Sequence, residues 1–121
     1  FGKNINRQNN KPIIIAMIEN INSVKHLEKI LLVQGLDAIL IGPYDLSASM
    51  GMTGKFNNSK FKLIIEKIKQ LSKKFKVPCG IHVLDPNYKV LMKYAKLGYQ
   101  FLPYSTDTVL LSSALKSSFK K

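Results

Sequence analysis

Two carboxylates, Glu19 and Asp45, are the residues of this sequence best placed to do chemistry. Glu19 ends the apolar run Ile13-Ile-Ile-Ala-Met-Ile18. Asp45 follows the run Ala38-Ile-Leu-Ile41 and a Gly42-Pro43 break, inside the stretch Gly42-Pro-Tyr-Asp-Leu-Ser-Ala-Ser-Met-Gly51. An apolar run cut by Gly-Pro reads as a buried strand that ends in an exposed polar loop. In α/β proteins the carboxyl ends of strands are where ligands bind. Neighbouring strands lie about 4.8 Å apart, so acids ending two parallel neighbours can converge on one ion. Carboxylates in proximity repel unless a proton or cation intervenes, and oxygen ligands suit Mg2+ or Mn2+. With two protein ligands, the remaining coordination positions belong to water or substrate, the arrangement of an open catalytic ion. The structural alternative is that Glu19 caps the next helix and Asp45 holds its loop by hydrogen bonds.

The elements that must position these acids alternate regularly along the chain. Pro12 leads into a first strand, Ile13 to Ile18, whose lack of polar alternation suits a strand buried on both faces. Asn20 or Asn22 caps a helix carrying Val24, Leu27, Ile30 and Leu31 at helical spacing, and Gly35 stops it. Asp37 precedes the second strand. After the polar loop, Phe61, Ile64, Ile65, Ile68, Leu71 and Phe75 form one stripe of a long helix whose other positions are rich in lysine. Val77 to Val83 reads as a third strand, Asp85-Pro86 as a cap and first helical residue, and Val90, Leu91, Tyr94 and Ala95 as the inward side of the helix that follows. Phe101 to Tyr104 is a weaker fourth strand with Pro103 near its end. Thr106 or Asp107 caps a final helix expected to turn Leu110, Leu111, Ala114 and Leu115 towards the core.

The result is an α/β chain of four consecutive βα units with parallel neighbouring strands. A closed (β/α)8 barrel needs about 250 residues. The 121 residues here make either half of one or a small open sheet, and pattern alone leaves both open. Either way Glu19, Asp45, His82 and Ser105 lie at the carboxyl ends of strands. His82 could face a substrate or its water, or serve packing or a loop hydrogen bond. His26 reads as a surface residue within a helix. Ser47 and Ser49 read as loop stabilisers, because no adjacent base would activate them.

Nineteen Lys and Arg against seven Asp and Glu give a formal net charge of +12. The excess favours attraction to anions, but lysines spread over helix faces read as a solvated surface, and no nucleic-acid partner is expected. The single cysteine, Cys79, cannot form an intrachain disulfide and lies in an apolar run that suits a buried thiol. No run approaches the roughly 20 apolar residues that span a bilayer, so no membrane partner and a cytoplasmic location are expected. Residues 1–12 are polar and read as a leading loop or a truncated terminus; a chain beginning with Phe suggests that this is not the biological start.

Several segments together resemble a known family. Met17-Ile-Glu-Asn20, Gly35-Leu-Asp-Ala-Ile39, Ile41-Gly-Pro-Tyr-Asp-Leu-Ser-Ala-Ser-Met-Gly51 and Tyr104-Ser-Thr-Asp107 are similar to the matching segments of the HpcH/HpaI aldolase/citrate lyase family, of the 2,4-dihydroxyhept-2-enedioate aldolase type. The resemblance implies that residues 13–121 are the C-terminal half of a (β/α)8 barrel. It also implies a class II carbon-carbon lyase, active with its N-terminal half, that reversibly cleaves a 4-hydroxy-2-oxo acid into pyruvate and an aldehyde. Glu19 and Asp45 would be the metal ligands for Mg2+ or Mn2+. The turn Gly42, Pro43, Tyr44 would bring backbone N–H groups to the substrate carboxylate. The family's arginine and histidine base come from the first half; Arg7, the only arginine here, lies in the leading loop. His82 is retained as a catalytic candidate. A homo-oligomer that covers the open sheet edges is expected. The alternative is a noncatalytic half-barrel or a basic anion-binding module.

Overall fold

The computed structural model describes residues 12–119. The leading segment up to Lys11, including Arg7, and the last two lysines lie outside the described residues. Three strands, β1 (Ile15–Ile18), β2 (Ala38–Ile41) and β3 (Cys79–Ile81), form an open parallel sheet in the order β1-β2-β3. Six helices accompany it among the described residues: α1 (Ile21–Lys25), α2 (Leu27–Leu31), α3 (Pro43–Ser49), α4 (Ser59–Phe75), α5 (Tyr88–Lys96) and α6 (Asp107–Ser118). This is an α/β architecture consistent with half of a (β/α)8 barrel.

The register explains both the core and the site. Ile18 pairs with Ile41, and Ile41 with Ile81. All three are buried, in one cluster with Val24, Leu27 and Leu31 of the α1–α2 pair and Phe61 and Ile68 of α4. Side chains alternate between the faces of a strand, so the opposite face carries Met17, Leu40 and Gly80. Met17 is 52% exposed there. One side of the sheet is therefore packed under helices, and the other lies open at its β1 edge.

Five details depart from the sequence reading. The first helix breaks at His26, whose φ of −104° and ψ of 15° leave the helical region, although its buried stripe continues across the break. The stretch after Gly42 is not a loop. Pro43 takes the first position of α3, where its missing N–H costs nothing, and Leu46 anchors the helix in the core. Helix α5 is capped by Asn87, whose Oδ1 accepts from the Lys89 N–H at 2.9 Å, rather than by Asp85. The fourth strand is reduced to two isolated parallel bridges, Gly80 with Phe101 and Val83 with Tyr104. Pro103 lies between them and has no N–H for a ladder. Last, α6 does not turn its leucines inward: Leu110, Leu111 and Leu115 are 42%, 64% and 52% exposed. Thr106 caps it as expected.

Candidate active site

One residue beyond the last paired row, the strands present Glu19, Gly42 and His82 side by side. The Gly42 N–H donates to the Ile18 carbonyl at 3.2 Å, and the His82 N–H donates to the Ile41 carbonyl at 3.0 Å. Alternation places all three on the open face, opposite the buried isoleucines. The Glu19 side chain lies across Gly42: a Cβ built on that glycine would come within 2.8 Å of both the Cγ and the Oε1 of Glu19. Such a separation is too short for any side chain to coexist with the carboxylate in its present position. Gly42 thus leaves the space that the present path of the Glu19 side chain occupies, a role that the sequence reading did not give it.

Asp45 is exposed in the first turn of α3, where a carboxylate is favoured by the helix dipole. Parallel pairing makes β1 and β2 neighbours, with Glu19 one residue past the end of the first and Asp45 in the helix that follows the second. The structural jobs open to them are done by other residues. Asn20, not Glu19, caps α1, accepting from the Asn22 N–H at 2.9 Å. The segment around Asp45 is held by its serines. Ser47, fully buried, donates to the Tyr44 carbonyl at 2.8 Å and accepts from the Gly54 N–H at 3.0 Å. Ser49 donates to the Leu46 carbonyl at 2.7 Å and accepts from the Ile21 N–H at 2.9 Å, tying α3 to α1. The two ion pairs among the described residues, Lys69 with Glu66 and Lys74 with Glu28, use other acids.

The expected turn is narrower in what it offers. The Gly42 N–H is spent in the sheet and Pro43 has none, so Tyr44 alone of the three keeps a donor that helix geometry leaves without an intrahelical acceptor. The Tyr44 ring is committed elsewhere, edge-on to Phe56 with ring centroids 4.9 Å apart. His82 is half-buried, and its Nε2 lies 3.1 Å from the Ser105 carbonyl oxygen. Among the described residues no group of three or more His, Cys, Asp or Glu side chains gathers to hold a metal. A cation here would have two protein carboxylates and take its other ligands from water or substrate. Their hard oxygen donors, and the side-chain-free position over which Glu19 lies, fit such an ion. Away from this edge Cys79 is buried, as expected, and burial pushes its thiol up to about 11.

Comparison with known proteins bears on this geometry. The chain is 32% identical over 114 residues to a 4-hydroxy-2-oxo-heptane-1,7-dioate aldolase of Escherichia coli, an alignment covering 93% of this chain and 42% of that protein. It therefore spans about two fifths of the length of the curated relatives it matches. Among solved structures it superposes on the HpcH/HpaI aldolase from Desulfitobacterium hafniense DCB-2 with a TM-score of 0.79 at 28% identity, covering 88% of this chain and 40% of that one. The fold is also shared with the CitE protein of Mycobacterium tuberculosis, solved with magnesium and acetoacetate, at a TM-score of 0.66 and 14% identity over 83% of this chain and 46% of that one. The family model described as HpcH/HpaI aldolase/citrate lyase matches residues 2–114, and the chain belongs to that family.

Proposed function

We propose that the full-length protein is an aldolase that reversibly cleaves a 4-hydroxy-2-oxo acid into pyruvate and an aldehyde. In this reading residues 13–121 supply the second half of a (β/α)8 barrel. Glu19 and Asp45 hold one divalent cation, Mg2+ or Mn2+. Its cytoplasmic setting and homo-oligomeric state belong to the same proposal. The observation that carries it is the freedom of the two acids: they follow two neighbouring parallel strands while Asn20, Ser47 and Ser49 do the capping and bracing. The names of the similar aldolases and the magnesium of the CitE structure support it further.

When bound, the cation would supply Lewis acidity, drawing electron density from the keto group of the substrate. The chain's own residues arrange the rest. Gly42 lets Glu19 lie flat over the strand end, facing the open side of the sheet. The Tyr44 N–H at the start of α3 meets the substrate carboxylate, as a helix N-terminus favours. His82 contacts the substrate from the third strand.

Calorimetric titration of Mn2+, then pyruvate, into the full-length protein tests the assignment. Glu19→Gln and Asp45→Asn should each weaken metal binding, because a neutral amide oxygen is a poorer partner for a hard cation. The double variant should lose less than the sum of two independent losses, since both act on one site. Pyruvate should bind poorly without the metal. Tight one-to-one metal binding that survives in both single variants would refute the site.

A further inference from the structure

Ser105 combines two unusual features. Its backbone sits in the left-handed region, with φ of 58°, and its buried hydroxyl has no hydrogen-bond partner among the described residues. The kinked backbone is held firmly: the Ser105 N–H donates to the Val83 carbonyl at 2.7 Å, while the Ser105 carbonyl lies 3.1 Å from His82 Nε2. A carbonyl oxygen can only accept, so this contact requires a proton on Nε2. A neutral imidazole so protonated carries its lone pair on Nδ1.

Which group would meet that lone pair follows from the order of residues along the edge. Glu19 and His82 share one row on the open face, two strand spacings of about 4.8 Å apart, and the Glu19 side chain reaches over the residue between them, Gly42, towards the His82 side. In a 4-hydroxy-2-oxo acid the keto and ionised carboxylate groups only accept hydrogen bonds. The hydroxyl, two carbons from the keto carbon, donates. A substrate whose keto end lies at the Glu19 carboxylate, which sits over Gly42, extends from there towards His82 and offers this donor to an acceptor.

Resting on the aldolase reading, we propose that Ser105 is a positioning residue. Its left-handed kink aims a carbonyl at His82, fixes the Nε2–H form of the ring, and leaves Nδ1 to accept a hydrogen bond from the 4-hydroxyl group of the substrate. The arrangement selects 4-hydroxy acids over analogues that lack the hydroxyl, since the latter leave Nδ1 unpaired.

Solid-state NMR of the full-length protein with 15N-labelled histidine reads the tautomer directly. His82 should carry its proton on Nε2. Ser105→Gly, which accepts the left-handed backbone, should keep it there, and Ser105→Val, whose β-branched side chain resists that backbone, should disturb it. Kinetics of pyruvate release test the second half. His82→Gln keeps a donor for the Ser105 carbonyl but moves its acceptor oxygen away from the Nδ1 position, and should lower kcat/KM about tenfold, the worth of one hydrogen bond. His82→Asn keeps an oxygen near the Nδ1 position and should lose less. A proton on Nδ1 in the wild type, or equal losses for the two His82 variants, would overturn the proposal. A wild type that binds no metal and releases no pyruvate would instead overturn the aldolase reading and the hydroxyl assignment together. The tautomer would still decide the role of Ser105.

Discussion

The two faces of this small sheet are built from the same strands, yet they have opposite purposes. Under the helices, Ile18, Ile41 and Ile81 line up in register and are almost wholly removed from water. One residue further along, on the other face, the same three strands present Glu19, Gly42 and His82. A shift of one residue changes the demand from close packing to access. Residues on the first face hold the fold, whereas Glu19 and His82 at the end of the second are only partly buried. That separation lets acids that have no ion pair among the described residues lie beside a tight core.

Substitutions can break or sharpen this contrast. The largest effect should come from Ile41→Ala on the packed face. It removes a fully buried side chain and should cost about 2 to 5 kcal/mol in urea unfolding of the full-length protein. Gly80→Ala tests the open face where it is crowded rather than free. The new Cβ would lie 2.5 Å from the Phe101 carbonyl oxygen, and overpacking of this kind costs about 1 to 3 kcal/mol. A loss below the error of measurement would mean that the Phe101 segment yields easily.

A gentler probe is pH. Cys79 belongs to the packed face, paired with Ile39, and burial raises its thiol from 9.0 to about 11. The unfolded chain therefore releases this proton first. Stability should be intact below about pH 9 and should fall as the pH climbs towards 11. Cys79→Ala should flatten that slope. The smallest stability change should follow Glu19→Gln, within about 0.5 kcal/mol, even as metal affinity falls. If this substitution destabilised the fold as Ile41→Ala does, the two faces would not be functionally separate.

Much of this arrangement was legible in the sequence, for reasons that also explain the remainder. The runs before Glu19 and Gly42 are unbroken and apolar, and such runs leave a parallel sheet few alternatives. The long stripe of α4 was equally plain, with Phe61 and Ile68 fully inside. Where reading failed, local and tertiary signals competed. The Gly42–Gly51 segment is polar enough to pass for a loop, and only the serine hydroxyls bonding back along the chain reveal how α3 is braced. The leucines of α6 follow a helical pattern whose inward direction was assumed, and in the structure they face outward. At the site, residue types and the ends of the apolar runs singled out Glu19 and Asp45 as candidates. The closeness of Glu19 to Gly42 depends on register and side-chain path, which no spacing encodes. The Ser105 kink had no sequence signal, because a serine with positive φ is chosen by its surroundings.

Gly42 also carries a consequence for how this edge can change by mutation. Glycine is the only genetically encoded amino acid without a Cβ, so any missense change in that codon places an atom where Glu19 now lies. The carboxylate cannot keep its path while the neighbouring codon drifts. A change at residue 42 obliges the Glu19 side chain to swing aside, whereas loss of the acid leaves Gly42 free to stay. Variation at residue 42 should therefore accompany a first carboxylate that is repositioned or lost.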